Sequence, residues 1–200
     1  MRVVWLKHDL RLADHAPLHA ALASGDHVLL LYIVEPERME QPDESVLHGS
    51  WDLANARSLL QQVETLGGTM QIRVGKPEEI LEKLHGEVGI TRLHSHEESG
   101  LRWSWERDKR VAAWCEDQGV VWDEHPWNGV VRRLSDRDRW NSLRNRRMVE
   151  PLMERPSQLP THPTLPCMDE SGDVFPAFTD LVKTPLDPGE QAAHTWLDSF

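Results

Sequence analysis

Cysteine is scarce in this chain of 200 residues: there are two, Cys115 and Cys167, far apart and without paired spacing. That excludes a disulfide framework and a zinc ribbon, and makes a reducing cytosol the expected compartment. Long apolar runs are absent too. No stretch approaches the ~18 consecutive apolar residues of a membrane helix, and the N-terminus lacks the basic-then-apolar order of a signal peptide. A soluble, unprocessed, cytoplasmic protein with no membrane partner is expected. Cationic charge is in deficit, with 22 Lys and Arg against 33 Asp and Glu and a formal net charge of -11. Phosphate neutralisation supplies most non-specific DNA affinity, so this balance argues against a stand-alone DNA-binding module, and any nucleic-acid contact must be local or supplied by another part of the protein. The glycine signatures GxGxxG, GxxxxGK[ST] and GxSxG are missing, which removes the usual dinucleotide, triphosphate and nucleophile-elbow mechanisms. Tyrosine and phenylalanine number one and three against nine tryptophans, so aromatic packing falls to indoles.

What is present is a regular alternation. The runs from Val3 to Lys7 and from His27 to Val34 are short and almost wholly apolar, as strands covered on both faces are. Between them "APLHAALASG" reads as a helix ending at Gly25. "GSWDLANARSLLQQVETLGG" spaces Leu53, Ala56, Leu59, Leu60 and Val63 for a second helix, and "TMQIRV" is a third strand. "GKPEEILEKLHG" starts a helix with Pro77, Glu78 and Glu79 where a missing N–H and negative charge are both favourable. "ITRLHSH", "RWSWERDKRVAAWCEDQG" and "VVWDEH" supply a fourth strand, a fourth helix with Trp103, Val111 and Trp114 on its inner stripe, and a fifth strand. The expected fold is α/β: a doubly wound, Rossmann-like, five-stranded parallel sheet with helices on both faces, over residues 1–130. Residues 131–187, arginine-dense and then proline-punctuated, read as a linker, and residues 188–200 restart a helix with Ala192, Ala193, Trp196 and Phe200 on one side.

In open α/β sheets ligands bind beyond the carboxyl ends of the strands. The first strand there runs into Lys7, His8, Asp9, Leu10 and Arg11, the second ends at Glu35, and the fourth ends at Glu97 and Glu98. The plainest reading pairs Asp9 with Arg11 or makes it a helix cap, and makes Asp14 the N-cap. His94 and His96 share one face of a strand end but lack a third ligand at short spacing, and a solvated or hydrogen-bonded pair is expected rather than a metal centre. No catalytic constellation emerges. The arginines from Arg132 to Arg147 read as a solvated helix face, with a phosphate-facing surface as the sharper alternative.

"VVWLKHDLRLADHAPLHAAL", residues 3–22, resembles the opening of the DNA photolyase and cryptochrome family. Trp5, Asp9, Leu10, Arg11, Asp14 and Leu18 match, while Lys7 and His8 stand where the family usually has two arginines. The resemblance continues through Trp51, Asn55, Arg57 and the double glycine of "WDLANARSLLQQVETLGG", and through Arg107, Asp108 and Val111 of "RDKRVAAWC". In "GEQAAHTWLDSF" it reaches what looks like the first helix of a flavin-binding domain. It implies an α/β domain that holds an antenna pigment (methenyltetrahydrofolate, a deazaflavin or FMN). The parent protein would bind FAD in a helical domain lying beyond Phe200. That parent would repair pyrimidine dimers in damaged DNA, or sense blue light, and the present chain alone would not be catalytically competent. The pigment contacts implied are Lys7, His8, Asp9, Leu10, Arg11, Glu35, Trp51, Asn55, Glu97 and Glu98, with residues 7–11 offering backbone N–H groups. The rival reading is a stand-alone adenine-nucleotide-binding domain of the stress-protein or electron-transfer-flavoprotein type.

Overall fold

The computed structural model describes residues 1–200 apart from 128, 133, 184, 185 and 200. Five strands form where the apolar runs predict them: β1 (Arg2–Leu6), β2 (Val28–Val34), β3 (Thr69–Val74), β4 (Arg92–His96) and β5 (Val121–His125). A sixth, β6 (Met168–Asp169), is two residues long and comes from the proline-rich stretch. All pairs are parallel, in the order β5-β4-β1-β2-β3-β6. The sequence predicts five strands. The sixth escapes because it is defined by its partner: Met168 and Asp169 lie against Gln71 and Ile72 of β3, beside an Arg73–Glu170 ion pair of 2.7 Å.

Helices cover both faces. On one side α1 (Ala16–Leu22) and α3 (Val46–Thr65) pack Leu18, Ala21, Leu53, Ala56, Leu59 and Val63 onto Val4, Leu6, Leu30 and Met70. On the other, α4 (Pro77–Val88) and α5 (Arg102–Gln118) pack Leu81, Leu84, Val111 and Cys115 onto Val3, Trp5, Leu29 and Leu31. Each fully buried Val, Leu or Met among them contributes roughly 1.5–3 kcal/mol, so the alternation of the central strands between two apolar layers carries the fold. α4 runs through Gly86 to Val88, and Gly89 takes the left-handed φ of 66° that ends it. α3 starts earlier than its apolar spacing suggests, because the Ser45 hydroxyl accepts the His48 N–H as a cap.

Short helices fill the connections: α2 (Pro36–Met39) after β2, α6 (Trp140–Met148) after a 3-10 turn at Arg137–Arg139, α7 (Phe178–Leu181), and α8 (Glu190–Leu197). Trp196 of α8 is exposed, and Phe200, expected on the same side, lies outside the described residues. Among the described residues no helix is long and apolar enough to cross a membrane.

Candidate ligand crevice at the strand ends

The chain order β1–β2–β3 runs outward from the centre of the sheet, then returns across it to β4 on the other side of β1. The reversal lies between β1 and β4, and ligands in open α/β sheets bind beyond the carboxyl ends of the strands around such a point. A cavity of about 200 Å³ lies over the ends of β1 and β2. Its walls include Leu6, Lys7 and His8 from β1 and its loop, Tyr32 to Glu35 from β2, Arg38 and Met39 from α2, Leu101, Trp103 and Arg107 around the start of α5, and Phe175. Gly49 of α3 makes room for Phe175, since a Cβ there would sit 2.7 Å from the ring.

The floor is an ionic nest. Lys7 Nζ reaches Asp108 Oδ2 at 2.8 Å and the His96 carbonyl at 3.3 Å, and it lies 4.6 Å from the centre of the Trp5 ring. Arg107 donates from Nη1 to Glu35 at 2.8 Å, from Nη2 to Glu98 at 2.7 Å, and from Nε to Asp108 at 3.0 Å. Its guanidinium stands between the rings of Trp5 and Trp103, at 4.9 and 5.5 Å. Two buried cations thus meet three buried carboxylates. Glu98, although burial works against its charge, is held below the usual range by Arg107 and Lys7. Glu35 goes the other way: burial outweighs Arg107 and pushes its carboxyl up to about 7. Its second oxygen, Oε2, is buried and has no hydrogen-bond partner. A buried acceptor left open costs about 1–3 kcal/mol, and this one belongs to a side chain that lines the cavity.

Two residues past Lys7 the loop builds a second nest with a different outcome. Asp9 Oδ1 accepts the Lys7 backbone N–H at 2.7 Å, and Asp9 Oδ2 lies 2.5 Å from His96 Nδ1 and 2.9 Å from His15 Nε2, the latter off the line of a good hydrogen bond. His15, not Asp14, caps α1: its Nδ1 accepts the Leu18 N–H, which leaves the ring proton on Nε2, facing Asp9. Burial raises the Asp9 carboxyl, but the two imidazoles outweigh it and hold it well below the usual range. The expected Asp9–Arg11 pairing is therefore replaced by an Asp9–His15–His96 cluster. Arg11 instead donates to the Ala13 and Asp14 carbonyls, and Asp14 takes a left-handed φ of 50° with its carboxylate on the Met153 N–H. His96 is buried and hydrogen-bonded, one of the two states expected of it, whereas His94 is buried with neither ring nitrogen hydrogen-bonded, and burial lowers its imidazole to about 4.

The predicted site residues accordingly divide. Lys7, His8 and Glu35 line the crevice, and Glu98 joins them through Arg107. Leu10, Arg11, Trp51 and Asn55 line a separate groove beside α8. There Trp51 packs on Phe178 at 4.6 Å and Asn55 Oδ1 accepts the Gly189 N–H at 2.8 Å. Glu97 turns away toward Arg132 and Arg147. The backbone N–H groups of Lys7 and Arg11 are taken by Asp9 itself, and those of Leu12 and Ala13 by the Glu190 carboxylate. Sequence reasoning leaves Arg107 and Asp108 out of the site. The inner stripe of α5 is Ser104, Arg107, Asp108, Val111 and Cys115, not the tryptophans. The signal was there, since residues spaced three and four from Val111 include an adjacent opposite-charge pair.

The profile of the DNA photolyase family matches residues 2–135. A cryptochrome DASH of Synechocystis sp. is 27% identical over 101 residues, which is 48% of this chain and 21% of that protein. A bacterial class III photolyase from Agrobacterium tumefaciens superposes with a TM-score of 0.81 at 22% identity, over 99% of this chain and 44% of that one. An archaeal photolyase from Sulfolobus tokodaii, described with two FAD molecules and the implication of a novel light-harvesting cofactor, gives a TM-score of 0.66 at 19% identity, over 98% of this chain and 46% of that one. The chain spans less than half the length of each of these proteins. These matches favour a photolyase-type domain over a stand-alone nucleotide-binding domain. With its parallel sheet, its two helical layers and a profile match over residues 2–135, this chain belongs to the DNA photolyase family as a photolyase-type N-terminal α/β domain.

Proposed function

We propose that the crevice over β1 and β2 holds the ring system of a light-harvesting pigment. The observation that carries this reading is the open Glu35 oxygen. It is a strong acceptor, buried at the carboxyl ends of the strands, in a cavity whose walls are Leu101, Trp103, Met39 and Phe175. Tricyclic and pterin pigments combine a flat apolar body with an imide or amide N–H at one edge, and this cavity offers apolar walls with one carboxylate acceptor. At about 200 Å³ it is smaller than the roughly 300–1,000 Å³ of pockets that enclose a whole drug-sized ligand, so it takes the ring and leaves the tail outside.

Each residue then has a task. Glu35 accepts the ring N–H, Arg107 fixes the Glu35 carboxylate, Lys7 fixes Asp108 beside Arg107, and Trp103 and Phe175 exclude water. Bound pigment supplies absorption of light and its transfer to a flavin. FAD would be held by a helical domain of the parent protein, for which residues 131–187 serve as linker and residues 188–200 as the first helix. On this reading the parent performs FAD-dependent repair of pyrimidine dimers in DNA, or senses blue light. The family assignment and the two-flavin description of the archaeal relative both support a flavin-type pigment.

Titration of the chain with FMN, a deazaflavin and methenyltetrahydrofolate, followed by tryptophan fluorescence, tests the proposal. Saturable quenching by one of the three is expected, with affinity at least about tenfold weaker in Glu35→Gln, because a hydrogen bond to a charged group is worth about 1.5–3 kcal/mol. No quenching by any of them, or unchanged affinity in the variant, sinks it.

A further inference from the structure

The acidic body of this chain carries one basic surface that neither the core nor the crevice uses. Residues 132–147 contain seven arginines and two aspartates, a formal charge of +5 in a chain of -11. Part of this charge anchors the segment. Arg132 pairs with Glu124 at 2.6 Å and Glu97 at 3.5 Å, Arg147 pairs with Glu97 at 3.7 Å, and Trp140 Nε1 donates to the Gly129 carbonyl at 3.1 Å. α6 is thereby held against residues 129–132 by one side.

The other side is different. Arg137, Arg139 and Arg146 are exposed, and among the described residues none of their guanidinium groups has an ion pair or a side-chain hydrogen bond. A solvated helix face is ordinarily laced with acids three and four residues away, yet α6, "WNSLRNRRM", contains none. The helix dipole favours cations at the C-terminal end, which accounts for Arg146 and Arg147, but disfavours Arg137 and Arg139 at the N-terminal end. Arg139 and Arg146 are seven residues apart, so they lie on one side of the helix roughly 10 Å along its axis. Among the described residues no ion pair or side-chain hydrogen bond closes on these guanidinium groups, which leaves their donors open.

We infer that the exposed guanidinium groups of Arg139 and Arg146, at the two ends of α6, together with Arg137 in the 3-10 turn before it, form a contact surface for the phosphate backbone of nucleic acid. Guanidinium matches phosphate bidentately. The acidic remainder repels the same polyanion, so approach is steered to this one face. The surface is independent of the pigment crevice and gives the α/β domain its own grip on nucleic acid.

Fluorescence anisotropy of the full chain with a labelled undamaged duplex of about 20 base pairs, between about 50 and 200 mM salt, tests it. Expected is salt-dependent binding that Arg139→Glu with Arg146→Glu weakens by about tenfold or more, lowering the slope of log affinity against log salt by about 2. The control reverses two exposed lysines elsewhere, Lys83→Glu with Lys183→Glu, and is expected to leave that slope in place. Equal losses in both pairs, reflecting net charge alone, would overturn the proposal, as would no binding by the unaltered chain at the lowest salt. Sedimentation showing that the α6 pair instead abolishes self-association, with duplex binding unchanged, would assign the face to a second copy and overturn it as well.

Discussion

Two buried ionic nests grow from the same short loop, one at Lys7 and one at Asp9, and they end differently. In the Asp9 nest one carboxylate faces two imidazoles and a backbone N–H, and both of its oxygens are engaged. In the Lys7 nest three carboxylates share two cations, and one carboxylate oxygen stays open in a side chain that lines a cavity of about 200 Å³. The difference teaches how to separate structural charge from ligand-directed charge. Burial and pairing occur in both, but only the second nest has an unanswered acceptor at a cavity wall.

The contrast breaks most severely at Asp9. Asp9→Ala leaves two buried imidazoles and the Lys7 N–H facing an empty space, and removing one partner of a buried charged set costs about 3–5 kcal/mol. A large drop in urea midpoint, or failure to fold, is expected, whereas Glu35→Gln, in the open nest, still folds and loses ligand.

Acid sharpens the comparison further. His94 is lowered to about 4, and burial also lowers His96 and His125. Between that value and the ordinary 6.5 the unfolded chain binds more protons than the folded one, so stability is present above pH 6.5 and falls as pH drops toward 4. Glu35 acts oppositely: with its carboxyl raised to about 7, the folded chain holds the extra proton between about pH 4.5 and 7, and stability falls as pH rises across that window. Urea midpoints measured from pH 4 to 8 should therefore show a steep acid limb that His94→Leu flattens, and a shallower neutral limb that Glu35→Gln flattens.

The mildest expected effect is at the tail. Glu190→Ala frees the Leu12 and Ala13 N–H groups to water, at about 1 kcal/mol. Hydrogen exchange should quicken in residues 12–13 and 190–197 while the sheet keeps its protection.

The strands and long helices were legible because continuous apolar runs and glycine stops are local signals. β6 and α2 were not, being short elements that exist through what they touch. Half of the crevice was legible for a topological reason: Lys7, Glu35 and Glu98 stand at strand ends, where an α/β sheet opens. Arg107 and Asp108 were hidden inside a helix otherwise rich in surface charge. His15 and His96 are both visible as residues, but their meeting at Asp9 spans 87 positions of chain between Asp9 and His96, and no spacing rule reaches that far. Trp51 and Asn55 were misplaced because α3 is long: its first turns face the tail segment, not the strand ends.

Glu190 also ties the beginning of the chain to a residue far downstream. Its carboxylate closes the N–H groups of a loop 178 positions earlier. At translation rates of roughly 5–20 residues per second, those amides wait about 9–36 s for their acceptor to emerge from the ribosome. Through that interval the first loop lacks this acceptor, so its contact with Glu190 can close only after every strand of the sheet has been synthesised.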